Sequence, residues 1–301
     1  MSEKDKFLVA KRFMSLGQME KTSAILWEIY DKTKNSALKL QIILGLIVAL
    51  NQAKDNDKLH KICIEGIKLA NSLAALDAKA YLMAKKAHCL LVDFGFNLYK
   101  RKNLVLTPEW KGFALESEEK EYKNLTEKII KSEKEADLLL DDSLKFVEKK
   151  GSKDAKANVL MFKGEIFAEK YLNYKMENMK LTKLRLFFKN LTSKDYFFFD
   201  KEDRKKLKEY LSICRKSFLE SASIYKSIGD ESGEALSFLN LANYLNSANR
   251  SNEVNKYLSK AKKIAQKHKD VALLNRIDEL EKSIKMRTVN KPHFFNREDR
   301  A

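Results

Sequence analysis

The chain has 301 residues, with 59 lysines and arginines against 42 aspartates and glutamates, for a formal net charge of +17. It contains only 9 glycines and 2 prolines, whereas an average chain of this length carries roughly 20 and 15. Sheet sandwiches, doubly wound sheets and phosphate-binding loops all need many such turn residues. The composition therefore excludes most sheet-based folds and predicts a chain that is helical throughout.

Periodic apolar patterns alternate with short polar breaks along the whole chain, as expected for consecutive helices. The first three helices are predicted at about 5–16, 19–34 and 36–53. The fourth begins after the polar residues 55–57, and the fifth spans about 75–101. Long helices follow at 116–150 and from 153 to between 180 and 190. The last four are predicted at 202–228, 231–248, 251–268 and 270–287, the final one with an apolar stripe and a polar outer face typical of a capping helix.

These elements divide the chain into six segments. We expect helical hairpins at 1–102, an irregular connection at 103–115, a long central hairpin at 116–190 and an aromatic loop at 191–201. Further hairpins with the capping helix are expected at 202–287, followed by a tail at 288–301. Hairpins of this length bury their apolar faces only when neighbours stack on them.

The clearest repeat unit lies in the helices predicted at 231–248 and 251–268. Its apolar residues fall at offsets 0, 3, 4 and 7 in the first helix and 16, 20 and 23 in the second: Phe238, Leu241, Ala242, Leu245, Val254, Leu258 and Ala261. This pattern resembles the tetratricopeptide repeat, in which small residues let two helices approach closely and large residues fill the groove between them. A weaker match has Leu160, Gly164 and Phe167 at offsets 0, 4 and 7. The helices near 116–150 and 202–228 are too long for the regular 34-residue repeat.

The resemblance implies an all-α, right-handed α-solenoid of about five antiparallel helical hairpins. In such proteins the first helix of each pair lines a concave groove. On the clearest unit that face would carry Leu236, Leu239, Asn240, Asn243, Asn246 and Ser247. Asparagine amides donate and accept hydrogen bonds together, so they suit the backbone of an extended peptide. We therefore expect a non-enzymatic scaffold or regulator that binds a protein or peptide segment.

A basic surface offers an alternative function. Two lysine-rich ridges recur at helical spacing, the first formed by Lys201, Arg204, Lys205 and Lys208 and the second by Lys256, Lys260, Lys263 and Lys267. Such ridges would suit phosphate backbones or an acidic partner. Only 10 of the 59 basic residues are arginine, whereas nucleic-acid-binding proteins favour the forked arginine side chain. A solvated outer face is therefore the favoured interpretation, and a nucleic-acid-associated adaptor is the alternative.

Catalytic and metal-binding motifs are not found in the sequence. It has no GxxxxGK[ST] or GxGxxG phosphate loop, no GxSxG and no HExxH, so we expect neither an enzyme nor a cofactor. The candidate zinc ligands are His60, Cys63, His88 and Cys89. Adjacent residues diverge by about 100° on a helix, so His88 and Cys89 are poorly placed to share one ion, and no metal site is expected.

Location follows from the cysteines and the hydropathy. The three cysteines form no CxxC pair and are odd in number, which favours a reducing compartment over a disulfide framework. The segment MSEKDKFLVAKRF lacks the apolar run of a signal peptide. The longest apolar run, Ile42 to Leu50, is 9 residues, and crossing a bilayer takes about 20. We therefore expect a cytoplasmic protein with no membrane span.

Overall fold

The structure, a computed structural model, describes residues 1–53, 55–104, 116–188 and 201–289. This part of the chain forms eleven α-helices and no strand. In chain order they are α1 (Glu3–Ser15), α2 (Met19–Tyr30), α3 (Ser36–Ala53), α4 (Asn56–Ser72), α5 (Leu76–Leu104), α6 (Glu116–Lys150), α7 (Lys153–Phe188), α8 (Lys201–Ile228), α9 (Glu231–Ser247), α10 (Ser251–His268) and α11 (Val271–Val289). The predicted all-α class is thus confirmed for the described residues.

Most of the two predicted irregular stretches, and most of the tail, lie outside the described residues. This applies to Pro108 and Gly112 in the first stretch and to the aromatic run at 196–199 in the second. None of the described helices combines the length and the apolar character that a membrane span requires.

Polar caps and left-handed glycines set several helix ends. Ser2 and Asp5 form a capping box at the start of α1, in which the amide of Asp5 donates to the Ser2 hydroxyl at 3.2 Å and the Ser2 amide donates to the Asp5 carboxylate at 3.0 Å. The Asp230 carboxylate accepts from the amide of Gly233 at the start of α9. Gly17 and Gly229 lie just beyond α1 and α8 with φ of 73° and 77°, a conformation that glycine adopts without steric cost.

Every helix packs against the next one along the chain. Neighbouring odd-numbered helices also contact each other, namely α1 with α3, α5 with α7, α7 with α9 and α9 with α11. Small residues permit this close approach. A Cβ on Gly164 of α7 would lie 2.8 Å from the ring of Phe218 on α8, and Ala242 and Ala261, the two small positions of the clearest repeat unit, are fully buried.

Two large hydrophobic cores result from this packing. The N-terminal core takes its buried side chains from α1 to α5, and the C-terminal core takes them from α7 to α11. Two smaller clusters connect α5, α6 and α7 between them. Helices α5, α6 and α7 therefore connect the two large cores.

Candidate functional site

A cavity of about 780 Å³ lies among the odd-numbered helices. Its wall includes Gly17 in the turn between α1 and α2, and side chains from α3, α5, α7, α9 and α11. None of the described residues of the even-numbered helices lines it. The volume is within the range of about 300–1,000 Å³ that is common for ligand sites.

Four of the helices that line the cavity each include a set of lining residues at the spacing i, i+1 and i+4. This spacing selects one face of each helix, because 3.6 residues complete a turn. The sets are Ile47, Val48 and Asn51 on α3; Met161, Phe162 and Glu165 on α7; Leu239, Asn240 and Asn243 on α9; and Asn275, Arg276 and Glu279 on α11. On α5 only the first and third positions, Tyr81 and Lys85, line the cavity.

The intervals between these sets show how the hairpins differ in length. The first positions of α3 and α5, residues 47 and 81, are 34 residues apart, and those of α9 and α11, residues 239 and 275, are 36 apart. The intervals from 81 to 161 and from 161 to 239 are 80 and 78 residues because of the long helices α5 to α8. Helices separated by very different lengths of chain thus turn the same face to the cavity.

Polar contacts along the cavity wall form two hydrogen-bonded groups, one on α3 and α5 and one on α7, α9 and α11, and His88 Nδ1 lies 3.7 Å from the Glu165 carboxylate between them. Lys85 on α5 is only 2% exposed, and its ammonium group donates to the Asn51 carbonyl on α3 at 2.5 Å and to His88 Nδ1 at 3.0 Å. Across the wall, the Asn240 amide on α9 donates to Glu165 on α7 at 3.0 Å. Its carbonyl accepts from Arg276 on α11 at 3.3 Å.

Burial and neighbouring charges set the ionisation of this network. Burial raises the pKa of Glu165, although the positive charges of Lys85 and Arg276 oppose the rise. Burial lowers the pKa of Arg276 in turn, and the carboxylate of Glu165 opposes that change. The network thus balances a buried carboxylate against two cations, which is the arrangement that a buried charge requires.

His88 is a neutral member of this network. Burial and the charge of Lys85 lower its pKa well below the ordinary value. Because Nδ1 accepts from the lysine ammonium, the ring proton belongs on Nε2. Nε2 is buried and has no hydrogen-bond partner. His88 therefore serves as an acceptor that holds Lys85 in place.

A second carboxylate, Glu169, lies behind the cavity wall, one helical turn after Glu165 on α7. Burial and the charge of Glu165 raise the pKa of Glu169 to about 7, while a hydrogen bond with Tyr244 and the charge of Lys85 act in the opposite direction. Glu169 is the acidic group of this region whose ionisation changes near neutral pH.

The structure places four of the six groove residues predicted from the sequence in this cavity. Leu236, Leu239, Asn240 and Asn243 line it. The other two, Asn246 and Ser247, lie at the end of α9 and do not contribute to the lining. The Asn240 amide, expected to be available to a peptide, is already engaged by Glu165 and Arg276.

The two lysine-rich ridges lie on α8 and α10, away from the cavity. Arg204, Lys205 and Lys208 are exposed on α8, and the side chain of Lys201 lies outside the described residues. The four lysines of the α10 ridge, Lys256, Lys260, Lys263 and Lys267, are exposed. Of these, Lys267 pairs with Glu231 at 3.0 Å and Lys260 lies 5.0 Å from the centre of the Phe238 ring.

The cysteines and histidines considered for zinc do not converge on a metal site. No group of three or more ligating side chains suited to a metal ion occurs in the described residues. Cys63 and Cys89 instead contact each other across α4 and α5, and a hydrogen bond with Cys89, together with burial, raises the pKa of the Cys63 thiol.

The lining residues that the sequence analysis did not single out include Lys85, Glu165, Asn275 and Arg276. Glu165 could have been predicted from the repeat pattern. It lies five residues after Leu160, the first position of the weak repeat match, and Asn243 lies five residues after Phe238, the first position of the strong one.

Comparison of the sequence with protein families and with curated proteins finds no match. The resemblance to tetratricopeptide repeats therefore stays a prediction.

Proposed function

We propose that the protein is a non-enzymatic scaffold or regulator that binds an extended peptide segment in the cavity between its odd-numbered helices. The observation that carries the proposal is a pair of free asparagine amides facing that cavity. Asn243 on α9 and Asn275 on α11 line it and are exposed. Neither side chain has a hydrogen-bond partner in the described part of the chain, so both can serve a ligand.

A peptide backbone is the ligand that such amides fit best. Each amide offers two donors and one acceptor, which matches the alternating carbonyl and N–H groups of an extended chain. Asn240 has a different role in this proposal, because its amide is bound between Glu165 and Arg276. It fixes the wall from which Asn243 reaches the ligand.

The balance of charge in the cavity also favours a peptide over a phosphate-rich ligand. Lys85 and Arg276 are matched there by Glu165 and Glu279, whereas the whole chain has a net charge of +17. A site for nucleic acid would be expected to gather positive charge. Apolar side chains such as Ile47 and Leu239 share the lining and would contact the side chains of the segment.

We also infer that the hairpins form the tetratricopeptide-like solenoid implied by the sequence. The common cavity-facing spacing on the odd-numbered helices and the intervals of 34 and 36 residues support this inference. A cytoplasmic location belongs to the same proposal, supported by three cysteines that are all free and buried.

The proposal is tested with a display library of random twelve-residue peptides. Peptides selected on the wild-type protein should bind the double variant Asn243→Ala and Asn275→Ala about ten to thirty times more weakly, since each lost hydrogen bond costs about 1 kcal/mol. The matched control is Asn246→Ala, which changes the same residue type on α9 outside the cavity lining. Equal affinity of all three proteins, or the same loss in the control, would remove the cavity as the binding site.

Binding of nucleic acid is the second candidate, and the exposed lysines of α10 are the observation that favours it. Contacts to phosphates would make retention of RNA or DNA steeply dependent on salt. Reversing the charges of Lys256, Lys260 and Lys263 on α10 should then abolish retention at 50 mM salt. No retention by the wild-type protein at that salt concentration would exclude this function.

A further inference from the structure

A second, smaller cavity of about 120 Å³ lies between α5, α6, α7 and α8. Among the described residues, it has no lining residue in common with the larger cavity. Three aromatic rings contribute to its wall, namely Phe94 on α5, Tyr174 on α7 and Tyr210 on α8. Since one water takes about 30 Å³ in the liquid, the space equals roughly four water molecules. The cavity therefore suits a compact group of atoms.

The aromatic rings of this cavity are held in place by their own contacts. The Tyr174 hydroxyl donates to the Asp203 carboxylate at 2.6 Å. The centres of the Tyr174 and Tyr210 rings are 6.1 Å apart, with their planes at 85°, which is a favourable edge-to-face arrangement. Tyr210 also packs against Phe167 with its ring centre 6.0 Å away, and Phe94 belongs to a hydrophobic cluster of α5, α6 and α7. The rings are thus ordered in the absence of a ligand.

A positive charge already lies against two of these rings. The ammonium group of Lys206 on α8 lies 4.7 Å from the centre of the Tyr174 ring and 5.8 Å from that of Tyr210. Both distances are within the limit of about 6 Å for a cation–π contact. In the described part of the chain, this ammonium group has no carboxylate partner and no hydrogen-bond acceptor. The faces of the two rings therefore hold a cation by themselves, and its N–H groups are left to water.

The charges around the cavity also favour a cation. The other lysine of the lining, Lys170, pairs with Asp137 at 2.6 Å and lies 3.8 Å from Glu133. With Asp203, three carboxylates thus lie beside the aromatic wall, against the two ammonium groups of Lys170 and Lys206. The chain as a whole has a net charge of +17, so this locally acidic region stands apart from the rest. Attraction to the carboxylates adds to that of the ring faces.

We propose that Tyr174 and Tyr210 form a binding site for a quaternary ammonium group, and that Lys206 occupies the site when this ligand is absent. A quaternary ammonium group has no N–H, so a site made of ring faces leaves none of its polar groups without a partner. A choline-type cation and a trimethylated lysine side chain share this chemistry. The site is separate from the larger cavity and does not depend on the proposed binding of a peptide there.

Calorimetric titration of the full chain with choline chloride tests the site. The matched ligand is the uncharged analogue of choline in which a carbon atom replaces the nitrogen. Choline should bind about tenfold more tightly than this analogue, because only a charged group is attracted to the ring faces. Lys206→Ala removes the internal cation and should tighten choline binding about fivefold. Lys208→Ala, an exposed lysine of α8 outside the lining, is the control and should change nothing. Equal affinity for the two ligands, or no binding of choline by Lys206→Ala, would overturn the proposal.

Variants of Tyr210 test the role of the ring face. Tyr210→Phe keeps the face and should retain choline, whereas Tyr210→Leu should weaken binding about tenfold. Tyr99→Leu changes an exposed tyrosine of α5 outside the lining and serves as the control, with circular dichroism to verify that each variant is folded. Equal affinity of the phenylalanine and leucine variants would overturn the site. If Tyr210→Leu does not fold, the comparison of choline with its uncharged analogue decides.

A pair of short peptides distinguishes the two sources of the ligand. One peptide carries a single trimethyllysine, and the other carries an unmodified lysine at the same position. The site takes a protein ligand if the trimethyllysine peptide binds at least as tightly as choline and more tightly than its unmodified counterpart. It takes a small cation if choline binds more tightly than both peptides. Either result supports the proposal, and binding of neither choline nor the trimethyllysine peptide would overturn it.

Discussion

The clearest energetic consequence of the structure concerns Glu169, the carboxylate behind the cavity wall. Its pKa is about 7 in the folded protein, against an ordinary value of 4.5. The folded state therefore binds this proton more tightly than the unfolded state does. Because the folded pKa is the higher one, protonation stabilises the fold, and this contribution is lost as the pH rises through 7.

The size of the effect follows from the two pKa values. Between pH 8 and pH 5, Glu169 should add up to about 2.5 kcal/mol to the free energy of unfolding. Contact of the half-buried side chain with water reduces this value. Glu169→Gln removes the titration while keeping an acceptor for Tyr244. We therefore expect the variant to be more stable than the wild type by about 2 kcal/mol at pH 8 and equal to it at pH 5.

Urea unfolding followed by far-ultraviolet circular dichroism at pH 5, 6, 7 and 8 measures this difference. The quantity to follow is the variant's stability minus that of the wild type at each pH, because this difference cancels the contribution of every other ionisable group. Glu148→Gln changes an exposed glutamate and serves as the matched control. If the free energy of unfolding of Glu169→Gln differs from that of the wild type by the same amount at every pH, the raised pKa of Glu169 is refuted.

Three further predictions concern packing and the buried charges. Lys85→Met should destabilise the protein by about 3–5 kcal/mol, because it leaves Glu165 with less compensating charge. Adding Glu165→Gln to this variant should recover part of the lost stability, as measured by urea unfolding. If the effects of the two substitutions on the free energy of unfolding simply add, Lys85 and Glu165 are not coupled. Gly164→Ala places a Cβ 2.8 Å from the Phe218 ring and should lower stability by about 1–3 kcal/mol, whereas a raised thermal midpoint would show that the ring moves aside. The three buried cysteines should react with a thiol reagent only at the rate of unfolding, which mass spectrometry in rising urea can measure; fast labelling without urea would contradict their burial.

The helices were largely predictable from the sequence because their signals are local. The stripe of Val254, Leu258 and Ala261 on α10 repeats at the period of one helical face, and all three residues are buried. Gly17 and Gly229 directly follow the helices predicted at 5–16 and 202–228, and both have positive φ there. Such patterns depend on neighbours a few residues away, which a sequence displays directly.

The cavity was predictable only in part because it depends on distant residues. Asn243 was predicted for the groove and lines the cavity. Lys85 and Arg276 act on the same carboxylate, Glu165, although 191 residues of sequence separate them. A charged residue in an amphipathic helix is usually solvated, so nothing local marks these two as buried partners. Glu279 shows the reverse case, since a charged residue in the predicted capping helix at 270–287 fits its polar outer face, whereas Glu279 lines the cavity.

The shared spacing on the odd-numbered helices has a consequence for engineering the protein. At the i+4 positions, two helices use their residues, Lys85 and Glu165, in the internal charge network. The other three present exposed side chains, Asn51, Asn243 and Glu279. Asn243 and Glu279 can be randomised together in a small library without disturbing either hydrophobic core, whereas Asn51 has to be kept because it accepts the hydrogen bond of the buried Lys85 ammonium. The cavity wall thus has exposed positions that can be changed separately from the two cores that stabilise the fold.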